Sequence, residues 1–345
     1  MVEQDLKFLI IVSGKAGQGR ALNSDIRDLA SKSFAAAGLS SNYEILVTEH
    51  ESHLSEAARQ FANEHGSKGV VYVAGGDGSL NEVAQAIYGT GCAFGAIPAG
   101  TGNDFVKTIF GKKRPPLDRI INAMPRPEFK QLDLIRLKFP PGVTLYNQYS
   151  NPKMLTEYCP LANSEDGSIS VFLINVVSFG LDTLVLRSAY KLMAKRPKLG
   201  GKAYYLGVLK NLGSQKVFPT NYRFTLSNGE IVSGKKDYIT TALCNGGYYG
   251  NGFNPAPMAD LFDGALNLCE ATWMGALRFV PLILRYLNGK HITSKFISFR
   301  EVKSGEFLSA TDDDILGNYD GLLFRTPSFS FEVMPQALPF ARLKI

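Results

Sequence analysis

Short apolar runs alternate with amphipathic stretches over the first 130 residues of the chain. After each run, apolar side chains recur every three or four positions, a spacing typical of a helix that covers a sheet. The predicted strand and helix pairs are 8–13 with 24–37, 43–48 with 54–65, 70–74 with 79–88, and 92–97 with 103–109. This alternation predicts a parallel sheet between helices, with ligands at the carboxyl ends of its strands.

The pattern changes after residue 130, where short strand-like runs follow one another with turn residues between them. Strands are predicted at 132–139, 168–177, 222–226, 238–244, 265–271, 296–300, 307–310, 322–325 and 329–333. Helices are predicted at 183–195, 203–212 and 277–287, and a long loop or hairpin at 140–167. Closely spaced strands indicate an antiparallel sandwich or barrel. We predict an α/β domain at 1–130 and a β domain at 131–345, whose last residues return to the first domain.

Composition bounds the class of protein. The chain has 345 residues, of which 45% are hydrophobic and 20% charged, as in an ordinary globular protein. An acidic start that leads into a strand predicts no signal peptide. The longest apolar stretch, 171–181, is too short for a membrane span. Four cysteines and four histidines lie without disulfide or metal spacing, which favours a reducing, cytoplasmic environment.

The formal net charge of +6 favours an anionic partner. Lysines and arginines cluster at 112–114 and along 191–202. Neither cluster has the interleaved aromatic residues of a single-strand nucleic-acid site, so no nucleic-acid partner is expected. Anionic headgroups attract such clusters, and we expect peripheral contact with an anionic membrane. A solvated surface is the alternative for each cluster.

Two glycine-rich blocks carry the candidate chemistry. Residues 75–83 read Gly-Gly-Asp-Gly-Ser-Leu-Asn-Glu-Val, and 98–105 read Pro-Ala-Gly-Thr-Gly-Asn-Asp-Phe. Each follows a predicted strand and opens a helix, and helix N-termini with unpaired backbone N–H groups bind anions. We expect Ser79 and Asp104 to cap the two helices. An acidic residue inside the first turn, Asp77, would repel phosphate unless a divalent cation lies between them. The two blocks therefore predict a site for a magnesium nucleotide.

A third turn, at 14–21, reads Gly-Lys-Ala-Gly-Gln-Gly-Arg-Ala. It has the spacing of a Walker loop but Arg-Ala in place of the required Lys and Ser or Thr. A purely structural turn and a third phosphate-binding loop both fit this segment.

The glycine blocks resemble those of the diacylglycerol kinase catalytic-domain family, which includes bacterial lipid kinases and the sphingosine and ceramide kinases. Later segments resemble the family's second domain, at 175–182, 198–206 and 245–253, followed by 256–259 and 263–264. The resemblance implies a phosphofructokinase-like three-layer α/β nucleotide domain followed by an antiparallel β-sandwich. It also implies ATP and Mg²⁺ as cofactors and a membrane lipid such as diacylglycerol as acceptor. A homodimer is left open.

The resemblance assigns roles to individual residues. The nucleotide would contact residues of all three turns, namely Ser13, Gly17, Gly75, Gly76, Asp77, Gly78, Ser79, Gly100, Thr101 and Asn103. Asp77 would serve as a catalytic residue and as a magnesium ligand, and Asp263 would hold a second, structural magnesium ion. Asp320 is the other catalytic candidate, with the acidic run at 312–314 as its alternative and a solvated turn as the other interpretation of that run.

Two positions depart from the family pattern. Ser13-Gly14 replaces the usual Asn-Pro, and Leu322 follows Asp320-Gly321 where related kinases have a glutamate that acts as general base. Loss of such a base typically costs on the order of 10²–10⁴-fold in rate. Two hypotheses of function therefore stay open, namely an active lipid kinase and a nucleotide- or lipid-binding protein with little catalysis. An NAD kinase, which shares Gly-Gly-Asp-Gly, is disfavoured by 98–105 and 245–253.

Overall fold

The computed structural model describes residues 5–14, 19–50, 52–100, 102–146, 166–211, 216–272 and 276–345, and the side chains of all of these except 19–24 and 276–280. The strands are β1 (Lys7–Val12), β2 (Tyr43–Val47), β3 (Gly69–Gly75), β4 (Ala93–Pro98), β5 (Glu128–Phe139), β6 (Thr144–Leu145), β7 (Ile169–Leu173), β8 (Val176–Gly180), β9 (Phe218–Leu226), β10 (Ile231–Cys244), β11 (Leu266–Thr272), β12 (Ile297–Ser309), β13 (Ile315–Tyr319), β14 (Leu322–Thr326) and β15 (Ser328–Arg342). The helices are α1 (Gly19–Ala36), α2 (His53–His65), α3 (Asp77–Ile87), α4 (Asp104–Phe110), α5 (Leu117–Ala123), α6 (Leu181–Lys195), α7 (Lys202–Asn211) and α8 (Ala276–Leu287).

The first compact unit comprises Met1–Asp133 and Pro335–Ile345. Its sheet has the order β2-β1-β3-β4, all parallel, and the last part of β15 pairs with β4 in parallel. On one face, Phe8 and Tyr72 pack with Phe34 of α1 and Ile120 of α5. The residues that alternate with Phe8 along β1 point to the other face of the sheet. On that face, α2 contacts β1 and β3, and α3 contacts β3. These three layers confirm the predicted α/β architecture.

The second compact unit comprises Leu134–Met334 and is mainly antiparallel. Its strands follow the order β12-β11-β10-β8-β13-β14-β6, and β9 pairs with both β10 and β12. A core rich in aromatic side chains, such as Phe179, Phe224 and Phe307, lies between the sheet layers. A smaller core contains Leu181 of α6 and Tyr286 of α8. The β-sandwich predicted for the second half is confirmed.

Several predicted elements have different bounds. The run at 168–177 forms two strands, β7 and β8, because backbone N–H groups at their junction bind a side chain instead of a neighbouring strand. The predicted strands 296–300 and 307–310 belong to a single strand, β12. Helix α5 and strand β13 were not predicted. Most of the predicted loop at 140–167 lies outside the described residues.

Candidate functional site

The two glycine turns lie side by side at the carboxyl ends of β3 and β4. Gly75, the last residue of β3, pairs with Pro98, the last residue of β4. The carbonyl oxygen of Gly75 then accepts hydrogen bonds from the N–H groups of Ala99 and Gly100, at 3.1 and 3.0 Å. The start of the second turn is therefore held directly against the start of the first, as their strand positions predict.

Close backbone contact explains why glycine occupies these positions. A Cβ atom added to Gly100 would lie 2.3 Å from the Cα of Gly76, and one added to Gly75 would lie 2.6 Å from the Cβ of Ser79. Real Cβ atoms do not approach backbone atoms so closely, so a side chain at Gly100 would push the two turns apart. The result is a surface of bare backbone that a ligand can approach.

Helix α3 points its N-terminus into this junction. The helix begins at Asp77, with Gly76 as its N-cap residue and no side-chain capping bond. Ser79 lies inside the first turn, so the prediction that it caps the helix is wrong. The first turn of a helix carries N–H groups without intrahelical partners and the positive end of the helix dipole. These groups favour a bound anion such as phosphate.

Two carboxylates meet beside the second turn. The Oδ2 atoms of Asp77 and Asp104 would lie 3.0 and 3.4 Å from a Cβ atom added to Gly102. Asp77 also accepts a hydrogen bond from the N–H of Phe105, at 2.9 Å, and Asp104 forms an ion pair with Lys107, at 2.8 Å. Burial, and next the neighbouring Asp104 carboxylate, raise the pKa of Asp77 to about 6. A divalent cation would offset this repulsion between the two acids.

Asn103 shapes the second turn. It has a left-handed backbone conformation, with φ of 52°. Its side chain accepts a hydrogen bond from the Gly100 N–H at 2.9 Å and donates one to the Gly100 carbonyl oxygen at 2.7 Å. The proposed nucleotide contact of Asn103 would act alongside these bonds. Helix α4 begins at Asp104 without a side-chain cap, so Asp104 does not cap it as predicted.

The turn after β1 lies next to the end of β3. The N–H of Ser13 donates to the carbonyl oxygen of Ala74 at 3.0 Å, and the N–H of Gly14 donates to Oγ1 of Thr48 at 2.9 Å. Ser13 is therefore on the same sheet edge as the other two turns. Two other predicted nucleotide contacts, Gly17 and Thr101, lie outside the described residues.

Asp320 belongs to the second unit and has a different environment. It forms a two-residue turn with Gly321 between β13 and β14, and both residues have positive φ, at 43° and 88°. Its carboxylate accepts hydrogen bonds from three consecutive backbone N–H groups, those of Ile174, Asn175 and Val176, at 3.1, 3.3 and 2.8 Å. These bonds hold the junction of β7 and β8 together. The catalytic role assigned to Asp320 stays a prediction.

Asp77 and Asp263, predicted to hold two different magnesium ions, belong to different units. Asp263 accepts a hydrogen bond from the Ala265 N–H at 3.0 Å within its own loop. Over the part of the chain that the structure describes, no three or more His, Cys, Asp or Glu side chains are grouped to hold a metal ion. Mg²⁺ commonly uses one or two carboxylates together with phosphate and water oxygens, and Asp77 with Asp104 fits that donor set. Asp104 was missed as a site residue, although its position after Gly-Thr-Gly-Asn indicated it.

Each of the two units matches a known protein domain. Residues 7–137 match the model of the diacylglycerol kinase catalytic domain, and residues 175–342 match the YegS C-terminal NAD kinase beta sandwich-like domain. The chain belongs to the diacylglycerol kinase family. This confirms the resemblance seen in the sequence.

Individual relatives are distant. A diacylglycerol kinase of Mycobacterium tuberculosis is 26% identical over 68% of this chain and 65% of its own length. A probable YegS-like lipid kinase of Xanthomonas oryzae is 29% identical over 61% of this chain and 59% of its own length. The chain thus matches slightly less than two thirds of these two relatives. A putative diacylglycerol kinase from Bacillus anthracis has a TM-score of 0.69 at 18% identity, covering 97% of this chain and 95% of that one, which shows a shared fold.

Proposed function

We propose that this protein is an ATP-dependent lipid kinase that transfers the γ-phosphoryl group of ATP to a hydroxyl of a membrane lipid such as diacylglycerol. The observation that carries the proposal is the partly buried Asp77 carboxylate, with its raised pKa, at the junction of two glycine turns and a helix N-terminus. Polyphosphate suits the backbone N–H groups of this junction, and a magnesium ion suits the paired acids.

The chain's own residues would supply positioning and charge. Gly76 and Gly100 let the phosphates approach the backbone, because a side chain at either position would fill the space between the turns. The first turn of α3, with Gly78 and Ser79, would donate N–H groups to phosphate oxygens. Asp77 would be a ligand of Mg²⁺, which would offset the negative charge of the phosphates. Phosphoryl transfer depends mainly on this kind of positioning and charge stabilisation.

A membrane acceptor is supported by the surface of α6 and α7. Tyr205, Leu206 and Leu209 are exposed on one face of α7, at 44%, 41% and 64%. Seven cations and no acid occur between Thr183 and Lys210, namely Arg187, Lys191, Lys195, Arg196, Lys198, Lys202 and Lys210. Apolar side chains rimmed by cations favour peripheral binding to an anionic bilayer. No described helix has the length and apolar character needed to cross a bilayer.

The alternative function is nucleotide or lipid binding with little catalysis. Leu322 favours it, since a leucine cannot take the proton of an acceptor hydroxyl. Calorimetry separates the two functions, because a binder would hold ATP or lipid without turnover.

The test is phosphorylation of a lipid panel by the full chain with labelled ATP and Mg²⁺, with NAD as a soluble comparison. We expect labelled lipid from the native protein and a loss of at least about 10²-fold in rate for Asp77→Asn. Asp118→Asn is the matched control, since Asp118 is exposed on α5 of the same unit. Added anionic phospholipid should raise the rate. Absence of labelled lipid, or equal rates for native protein and Asp77→Asn, would contradict the proposal.

A further inference from the structure

A second concave site lies in the first unit, away from the glycine turns. It is a cavity of about 690 Å³ between the segment that joins α4 to α5 and the end of the chain after β15. Its lining includes Lys113 and Arg114 of the basic segment at 112–114, which the proposed kinase site does not use. The volume is within the range of about 300–1,000 Å³ that is typical of small-molecule sites.

Cations dominate the lining of this cavity. Its basic residues are Lys113, Arg114, Arg119, Arg342 and Lys344. The acidic side chain in the lining is Glu128, whose carboxylate lies 4.0 Å from Nζ of Lys130. Among the residues that the structure describes, none of the five cations forms an ion pair. Five like charges around one cavity repel one another, and this repulsion is relieved when a ligand supplies negative charge.

Arginine geometry narrows the class of ligand. Three of the five cations are arginines, whose planar guanidinium groups bind phosphate oxygens with two hydrogen bonds at once. Arg114 is exposed, and partial desolvation lowers its pKa, so a bound anion would stabilise its charged form. Three apolar residues, Ile109, Phe110 and Leu343, also line the cavity. A ligand with one carboxylate would leave most of these charges without a partner.

We propose that this cavity binds a phosphate-bearing anion with more than one negative charge. Soluble pyrophosphate-like compounds and the headgroup of an anionic phospholipid such as phosphatidic acid share this chemistry. The site is separate from the glycine turns, because none of their residues lines the cavity. The proposal does not depend on whether the protein is a kinase.

The test compares the native protein with Arg114→Gln/Arg342→Gln, which removes two charges and keeps side chains of moderate size. Lys32→Gln/Arg59→Gln is the matched control, because both residues are exposed on helices of the same unit and neither lines the cavity. Calorimetry with pyrophosphate should give an affinity at least about tenfold weaker for Arg114→Gln/Arg342→Gln than for the native protein and the control. Equal affinities would overturn the proposal and assign any binding to the glycine turns.

Two further measurements are needed. The first distinguishes a lipid headgroup from a soluble ligand, and the second distinguishes ligand binding from a purely structural role of the arginines. Flotation with phosphatidylcholine vesicles that contain phosphatidic acid should show a loss for Arg114→Gln/Arg342→Gln if the ligand is a headgroup. A loss confined to pyrophosphate indicates a soluble ligand. Without ligand, this variant should unfold at a higher temperature than the control, because two repelling charges are gone. A lower unfolding temperature, with ligand binding unchanged, would show that the arginines serve the fold alone.

Discussion

Asp77 and Asp320 are both acids beside glycine, yet the structure gives them opposite surroundings. Asp77 is partly buried next to the buried Asp104, and its pKa is raised to about 6. Asp320 accepts three backbone hydrogen bonds that use both of its oxygens. The charge of Lys107, which pairs with Asp104, lowers the pKa of Asp77 only in part, so the Asp77 carboxylate would gain from a bound divalent cation. The Asp320 carboxylate already has three N–H donors. The groups around each aspartate therefore decide its expected role, which is a metal ligand for Asp77 and a structural hydrogen-bond acceptor for Asp320.

Removal of the Asp320 side chain should have the largest effect on stability. Asp320→Ala leaves three N–H groups at the junction of β7 and β8 without their acceptor, and each such loss costs about 1–3 kcal/mol. We expect a total loss of about 4 kcal/mol in the free energy of unfolding of the second unit. Urea unfolding and hydrogen exchange of the Ile174, Asn175 and Val176 amides measure it. Unchanged protection of these amides would refute the structural role.

Asp312→Ala is the control for this measurement. Asp312 is exposed on the loop before β13, so its removal should change stability by less than about 0.5 kcal/mol. An equal loss in both variants would indicate that net charge, and not the three hydrogen bonds, decides the result.

Substitution of Asp77 should instead stabilise the protein, in a pH-dependent way. The raised pKa means that the folded state favours protonated Asp77, so its contribution to stability is full below about pH 4 and is lost as the pH rises through about 6. A shift of about two units corresponds to about 3 kcal/mol. Asp77→Asn should therefore be more stable than the native protein by about this amount at pH 8 and equal to it below pH 4.

Urea unfolding at several pH values checks the Asp77 prediction. Added Mg²⁺ should narrow the difference at pH 8, because a bound cation stabilises the ionised carboxylate. A difference that does not vary with pH would place the effect of the substitution in packing and not in ionisation.

The contrast between the two acids shows what sequence can predict here. Strand–helix alternation and the glycine blocks were sufficient for the α/β unit and for the junction around Gly75 and Gly100, because these depend on local pattern and chain order. The hydrogen bonds of Asp320 join residues more than 140 positions apart, and no local pattern records them. The hairpin that contains Asp320 could have been predicted from the sequence, because Asp-Gly between two short apolar runs favours a type I′ turn with positive φ at both residues.

The same limit applies to the paired acids. Asp77 was identified from its motif, but the closeness of Asp104 depends on the register of β3 and β4 and on the lack of a side chain at Gly102. The pKa of Asp77 follows from that closeness and from burial, which composition does not give. The cavity with five cations draws on residues from 113 to 344, of which the sequence indicated only the basic cluster at 112–114.

Leu322→Glu, which would place a base beside Asp320, has the smallest expected effect. It tests how the hydroxyl of the acceptor lipid loses its proton. Leu322 opens β14 opposite Tyr319 and is partly exposed, with part of its side chain packed against the aromatic core. Leu322→Glu should therefore cost some stability, and Leu322→Gln should share that cost. If the missing base limits turnover, Leu322→Glu should raise the rate of lipid phosphorylation by about 10²-fold, close to 2.7 kcal/mol in the barrier. Leu322→Gln has a similar shape without a base and should give no gain. Equal rates for the two variants would show that this position does not accept the proton, which leaves Asp320 or another group to orient the acceptor hydroxyl.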